Sequence, residues 1–274
     1  GRNAAPGGGA RRPALDAAEV SPGSEVLLVL AAAYLSGIVN ATVGGGGLIQ
    51  LTGLLAAFPQ AAHPFLLGTN KLASILGTGA AVVRYARAVA IPWRAVLPAC
   101  AIAFTGSVAG AATVTRLADD AFRALVPVML ALVLAYIVWD RDLGREHAPR
   151  ALSPVRLAFA GTAFLGLGFF DGFFGPGVGT FLILVFVRLF GYDFLRAAAC
   201  SRVVNLSSNV AAVALFAHHG RVWWTIGALM ALFNVAGAVT GTSLAVRHGN
   251  RFLRRLLIAV ASLLIVKTAW DAWT

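Results

Sequence analysis

Asn40–Gly47 reads N-A-T-V-G-G-G-G and interrupts an apolar run that begins near residue 26. Four consecutive glycines hold a helix poorly, because each costs about 1 kcal/mol relative to alanine. In hydrocarbon, the N–H and C=O groups freed by a broken helix each cost several kcal/mol when unpaired. A break of this kind belongs where protein or water meets the bare backbone. Asp171–Gly179, reading D-G-F-F-G-P-G-V-G, makes a second such break.

Around these breaks the 274-residue chain is 59% hydrophobic and 12% charged, with a mean hydropathy of +0.80. A soluble domain carries about 25% charged residues. Half that charge, with long apolar runs throughout, marks an all-α, polytopic membrane protein whose partner is the lipid bilayer. The net charge of +11 would suit a nucleic-acid binder, but the arginines lie between apolar runs and form no single patch. They read as topology signals, and no nucleic acid is expected. Cys100 and Cys200 fall in apolar runs and are expected as buried thiols without a disulfide. No Cys/His spacing suits zinc, and no cofactor is expected. Residues 1–24 are rich in Gly, Pro and Ala and lack the apolar core of a signal peptide, so they are expected as a disordered tail.

The apolar runs fall near 26–43, 46–58, 65–83, 95–115 and 122–139, then near 157–174, 178–190, 197–217, 223–246 and 252–270. The two sets are a repeat. A shift of 131 residues carries Asn40 onto Asp171, Gly44 onto Gly175, Gly46 onto Gly177 and Trp93 onto Trp224, without a gap. The same shift carries Gly106 and Gly110 onto Gly237 and Gly241, and Trp139-Asp140 onto Trp270-Asp271. The domains expected are a first transmembrane repeat over 25–139, a cytoplasmic linker over 140–156 and a second repeat over 157–274. An odd number of segments per repeat inserts the second copy upside down. Alternating the segments puts thirteen Lys/Arg on one side and six on the other. The richer side is cytoplasmic by the positive-inside rule, so both termini are expected in the periplasm. The segments at 46–58 and 178–190 are short for a hydrocarbon core of about 30 Å, so eight to ten hydrophobic segments are expected, some broken or re-entrant.

The chemistry candidates cluster at the breaks. A half-helix that starts beyond a break points unpaired N–H groups and a partial positive charge outward, which is a ready anion site. Gly44, Gly45, Gly46 and Gly47, with Gly175 and Gly177, are therefore read as one substrate cradle, in the manner of inverted-repeat transporters. The alternative, close backbone packing, fits Gly106-x-x-x-Gly110 and Gly237-x-x-x-Gly241 better. No Gly-Lys-Ser/Thr follows the glycines, which excludes a phosphate P-loop. Lys71 and Arg202 occupy one repeat position, each about two turns into its segment, and a cation there is functional by default; snorkelling is the alternative. Asn40, Asn70, Ser74 and Thr78 add donors in the first repeat, and Ser201, Asn205, Ser207, Ser208 and Asn209 in the second. Asp171 is the only acid near the breaks; it either pairs with Arg202 or takes up a proton and couples transport to H⁺. His63, His218 and His219 sit at segment ends and are expected at the surface. The tryptophans mark segment boundaries, as interfacial belts do.

At these residues the sequence resembles the sulfite exporter TauE/SafE family (DUF81) of bacterial inner-membrane permeases, over about residues 26–271. Asn40–Gly47 with Gly68-Thr69-Asn70-Lys71-Leu72 is similar to the family's first repeat. Asp171–Gly177 with Ser201–Asn209 is similar to the second, in its YfcA-like branch. The resemblance implies ion-coupled movement of small organic or sulfur-containing anions such as sulfite, sulfonates or carboxylates. The function expected is a secondary transporter in the inner membrane with a small anionic substrate, protons as a candidate coupling ion, and a homo-oligomer as one assembly open to it. A passive anion channel and a membrane scaffold are the alternatives. An intramembrane enzyme is not expected, because no Ser/His pair, metal-ligand pair or second carboxylate supports one.

Overall fold

The computed structural model describes residues 23–116 and 153–273, which form helices and no strand. The expected tail, most of the expected linker and the run at 122–139 lie outside the described residues. The helices are α1 (Ser24–Thr42), α2 (Gly46–Ala57), α3 (His63–Ala88), α4 (Trp93–Val114), α5 (Pro154–Phe173), α6 (Val178–Phe190), α7 (Phe194–His218) and α8 (Trp224–Trp273). Gly249 breaks α8, with φ 66° and ψ −158°. Local chemistry fixes several starts. Ser153 caps α5 by accepting from Arg156 N, with Pro154 at the first helical position, where a missing N–H costs nothing. Asp193 caps α7 by accepting from Arg196 N at 2.9 Å.

Among the described residues, six helices are long and apolar enough to cross a membrane, the last being Trp224–Gly249. The other two, α2 and α6, have only 12 and 13 residues. A Cβ at Gly46 would lie 2.1 Å from the Ser36 carbonyl oxygen, and one at Gly53 would lie 2.6 Å from the Ala32 Cβ. Thus α2 runs back along α1, and the four-glycine break is the tip of a helical hairpin, not a gap in a helix that carries on. The second break does the same. Phe164, well before it on α5, packs on Phe186 and Phe190, well after it on α6, with ring centroids 5.4 and 6.1 Å apart.

The glycines spaced four apart lie in two helix seams. Cβ atoms at Gly106 and Gly110 of α4 would strike the carbonyl oxygens of Leu165 and Phe169 on α5, at 2.3 and 2.0 Å. Cβ atoms at Gly237 and Gly241 of α8 would strike those of Tyr34 and Ile38 on α1, at 2.0 and 2.5 Å. Each contact in one seam has its counterpart in the other at the 131-residue shift. The fourth segment of each repeat therefore packs on the first segment of the other. This is the close packing that small residues permit, as the sequence spacing implied.

Polarity is distributed inside out. Leu35, Leu76, Leu97, Phe104, Phe159, Leu165, Leu232 and Phe233 face outward, while Lys71, Asp171, Arg202, Asn70, Asn205 and Asn209 are buried. A surface this apolar on an otherwise folded chain suits lipid and not water. Trp93 and Trp224, at the starts of α4 and α8, are exposed, as interfacial anchors are. Cys200 is buried, Cys100 is half-buried, and both are free thiols. His218 and His219 are exposed as expected, but His63 is buried at the start of α3. Among the long spans, α3 and α7 are the most enclosed. They are the same repeat position, and they carry Lys71 and Arg202.

Candidate functional site

The two glycine breaks meet. A Cβ at Gly44 would lie 2.3 Å from the Gly179 carbonyl carbon, and Gly47 lies against Pro176. Gly44 has φ +83°, so the absence of a Cβ serves both the left-handed backbone and the close approach. Thr180 Oγ1 donates to the carbonyls of Val43 and Gly44, at 2.9 and 3.1 Å, and stitches the second break to the first. Tyr85 OH donates to the Ala41 carbonyl at 2.8 Å. The carbonyl end of α1, orphaned by the break, is thus satisfied by side chains from α3 and α6. The opposite ends behave differently. Gly45 and Gly177 cap α2 and α6 without a side chain; Leu48 N and Thr180 N donate back to their carbonyls at 3.1 and 3.0 Å, and Val178 N donates to the Gly175 carbonyl at 3.3 Å.

Those two helix starts line a small polar cavity. Of the residues singled out from the sequence, Asn40, Gly45, Gly47, Asn70, Lys71, Ser74, Asp171, Gly175, Gly177, Asn205 and Asn209 line it, joined by Gly179. Gly44, Gly46, Thr78, Ser201, Arg202, Ser207 and Ser208 do not. Gly44 is spent on the contact with the second break and Gly46 on the α1–α2 crossing. Arg202 lies behind the wall, where a Cβ at Gly179 would meet its guanidinium at 2.5 Å.

The cavity wall is organised by a closed ring of hydrogen bonds. Lys71 Nζ donates to Asp171 Oδ1 in a buried ion pair, and to Asn209 Oδ1 at 2.9 Å. Asn209 Nδ2 donates to Asn205 Oδ1 at 3.3 Å, and Asn205 Nδ2 closes the ring on Asp171 Oδ2 at 3.0 Å. Ser208 Oγ also donates to Asp171 Oδ2. An ammonium has three donors, so one N–H of Lys71 is left over. Asn70 is 2% exposed, lines the cavity, and has an amide oxygen with no hydrogen-bond partner.

Arg202 is also fully buried but is engaged elsewhere. Its Nη1 donates to the Asn40 carbonyl and, at 2.9 Å, to Asn40 Oδ1. Its Nε and Nη2 donate to Ser201 Oγ at 3.2 and 3.0 Å. The pattern crosses between repeats. The cation of the first repeat bonds residue 171 of the second, and the cation of the second bonds residue 40 of the first. Sequence reasoning offered Arg202 as the structural partner of Asp171; in the structure that partner is Lys71.

Several contributors went unnoticed. Thr180 and Tyr85, which hold the first break, have Ile49 and Phe216 as repeat counterparts. A search for repeated polar positions passes over them. Gln50 and Asn234 were missed for the same reason. Gln50 Nε2 donates to the Asn70 carbonyl at 3.0 Å, and Asn234 Nδ2 donates to Gln50 Oε1 at 2.7 Å. A polar residue in an otherwise apolar run was the available signal.

A bundle of apolar helices around an internal polar cavity, with half-helices ending at it, defines the class of membrane transport proteins. The chain belongs to the TauE/SafE sulfite exporter family, whose model matches residues 29–268. It is 33% identical over 240 residues to the probable membrane transporter protein ORF9 of Sinorhizobium sp., covering 88% of this chain and 90% of that protein. It is 31% identical over 240 residues to the probable membrane transporter protein YfcA of Escherichia coli K12, covering 88% of each chain. A probable membrane transporter protein of Haemophilus influenzae is 30% identical over 251 residues, 91% of this chain and 96% of that one. No solved structure matches the chain. The chain is a multi-pass membrane transporter, not an enzyme.

Proposed function

We propose that the chain is a secondary transporter that moves small organic or sulfur-containing anions, of the sulfite, sulfonate or carboxylate type, across the bacterial inner membrane, coupled to an ion. The observation that carries this reading is Lys71, a buried cation with an N–H to spare, facing a cavity at the starts of two half-helices. Lys71 supplies charge. The first turns of α2 and α6 supply backbone N–H donors, which favour an anion through the helix dipole. Asn70, Asn205 and Asn209 set selectivity through their amides. Arg202 adds positive potential from behind the wall while its N–H groups hold Asn40. Rocking of one repeat against the other, around the cavity, would alternate access.

The test is anion flux in proteoliposomes, with sulfite, methanesulfonate, sulfoacetate and lactate as the panel. Lys71→Gln keeps a hydrogen-bonding group beside Asp171 and Asn209 but removes the charge; it abolishes flux while the purified protein stays folded and monodisperse. Undiminished flux in a folded Lys71→Gln protein contradicts the role. The reading also places both termini, and the loop at 219–223, in the periplasm. In a protein with Cys100 and Cys200 replaced by alanine, an impermeant thiol reagent labels His219→Cys in intact cells and labels Arg87→Cys only after permeabilisation. The reverse pattern refutes the orientation.

A further inference from the structure

We propose that Asp171 carries the coupling proton: the carboxylate that holds Lys71 in the empty site takes up H⁺ as a small monovalent anion takes its place. This rests on the anion-site reading above and names the coupling ion for that site.

The argument starts from what an incoming anion meets. Lys71 already has a carboxylate partner, buried with it. An anion that takes the Lys71 ammonium leaves Asp171 facing a second negative charge, out of water. Two anions cannot share one buried cation cheaply, and a carboxylate that loses its counter-ion in such a place is strongly disfavoured in the charged form. Nothing nearby replaces Lys71. Asp171 keeps Asn205 Nδ2 and Ser208 Oγ, which are neutral. Arg202, the other buried cation close by, has its N–H groups on Asn40 and Ser201. The other charged residues of the helices around Asp171, its own included, are Arg84, Arg87, Arg94, Arg156, Arg188, Asp193 and Arg196, all at helix ends. Protonation removes the conflict. The proton comes from solution and adds to a carboxylate oxygen, no other bond breaks, and the neutral carboxyl still accepts from Asn205 or Ser208.

The repeat sharpens the stoichiometry. Residue 40, the counterpart of Asp171, is an asparagine, and Arg202 bonds its neutral carbonyl and amide oxygens. Only one of the two crossed pairs can titrate at the acid, which gives one proton per cycle. In the empty site Lys71⁺ and Asp171⁻ cancel. With anion and proton both bound, Lys71⁺ and A⁻ cancel and Asp171 is neutral. The site carries the same net charge in both states, so transport of a monovalent anion is electroneutral, driven by a pH gradient and indifferent to membrane potential.

The experiment takes the monovalent anion of the panel, methanesulfonate, lactate or hydrogen sulfite, that raises the melting temperature of the wild-type protein most. Proton uptake on binding is read with a pH dye in weakly buffered detergent, and flux is read in proteoliposomes under imposed pH or potassium-diffusion gradients. Wild type takes up about one proton per anion, and its apparent affinity weakens as pH rises. Its flux follows the pH gradient alone. Asp171→Asn leaves Lys71 without a counter-ion, so it binds the anion more tightly, takes up no proton and loses the pH dependence. Wild-type protein that binds and moves the anion without taking up protons overturns the proposal and leaves the anion site standing. So does an Asp171→Asn protein with wild-type proton uptake. Wild-type protein that neither binds nor moves any anion of the panel overturns the anion site itself, and the proposal with it. The wild-type measurements decide the matter even if Asp171→Asn fails to fold.

Discussion

Lys71 and Arg202 occupy one position in two repeats and differ in what their N–H groups do. Lys71 is a compact charge with a donor left over; the Arg202 fork is committed to Asn40 and Ser201. Charge-assisted hydrogen bonds of this kind contribute roughly 1.5–3 kcal/mol each, and a single ammonium cannot span both partners as a guanidinium does. Arg202→Leu is therefore expected to lower the melting temperature markedly, and Arg202→Lys to recover only part of the loss. A folded Arg202→Leu protein with wild-type stability and no anion binding would make Arg202 a direct ligand instead. At this scale the sequence was informative, because a charge in an apolar run stands out and the repeat picks out its twin. The pairing was not legible, since spacing along one helix does not say which cation a neighbouring element turns toward Asp171. Thr180 and Tyr85 were passed over for a different reason: their repeat counterparts, Ile49 and Phe216, are apolar, and their work is done for another element's carbonyls.

The glycine breaks were plain in the sequence, but not which way the chain goes beyond them. A run of glycines says that a helix ends. The hairpin depends on tertiary contacts, Gly46 on Ser36 and Gly53 on Ala32, that local propensity does not contain. Gly44 carries the tightest requirement. A methyl group there meets the Gly179 backbone at 2.3 Å, and φ is +83°. Left-handed backbone costs a non-glycine residue of order 1–3 kcal/mol before any overlap is counted. Gly44→Ala is expected to abolish recovery of folded protein. Gly79, inside α3, has nothing within 4 Å of where its Cβ would sit. Gly79→Ala should be tolerated and should stabilise by roughly 0.5–1 kcal/mol, read as a rise in melting temperature. Equal behaviour of the two variants would contradict the account of the meeting breaks. That α4 and α8 each carry a close-packing face was legible, because glycines four apart fall on one side of a helix; their partners, α5 and α1, were not.

At the scale of the whole chain, the apolar exterior, the polar α3 and α7 and the matching seams turn one arithmetic relation into a shape. Composition announced the membrane, and the 131-residue shift announced two related halves. How the halves interlock lay outside the reach of either, because it depends on which helix packs on which. Interlocked, they bring two half-helix starts and Lys71 to one cavity, and the central claim is that this cavity binds a small anion. The most direct measurement is anomalous scattering from crystals of the full chain soaked in selenite, which marks the anion by its selenium. The account predicts a single strong peak in the cavity, with an oxygen within about 3 Å of Lys71 Nζ, and no such peak in Lys71→Gln crystals. A peak elsewhere in the molecule, or one at the same place that survives Lys71→Gln undiminished, would contradict it.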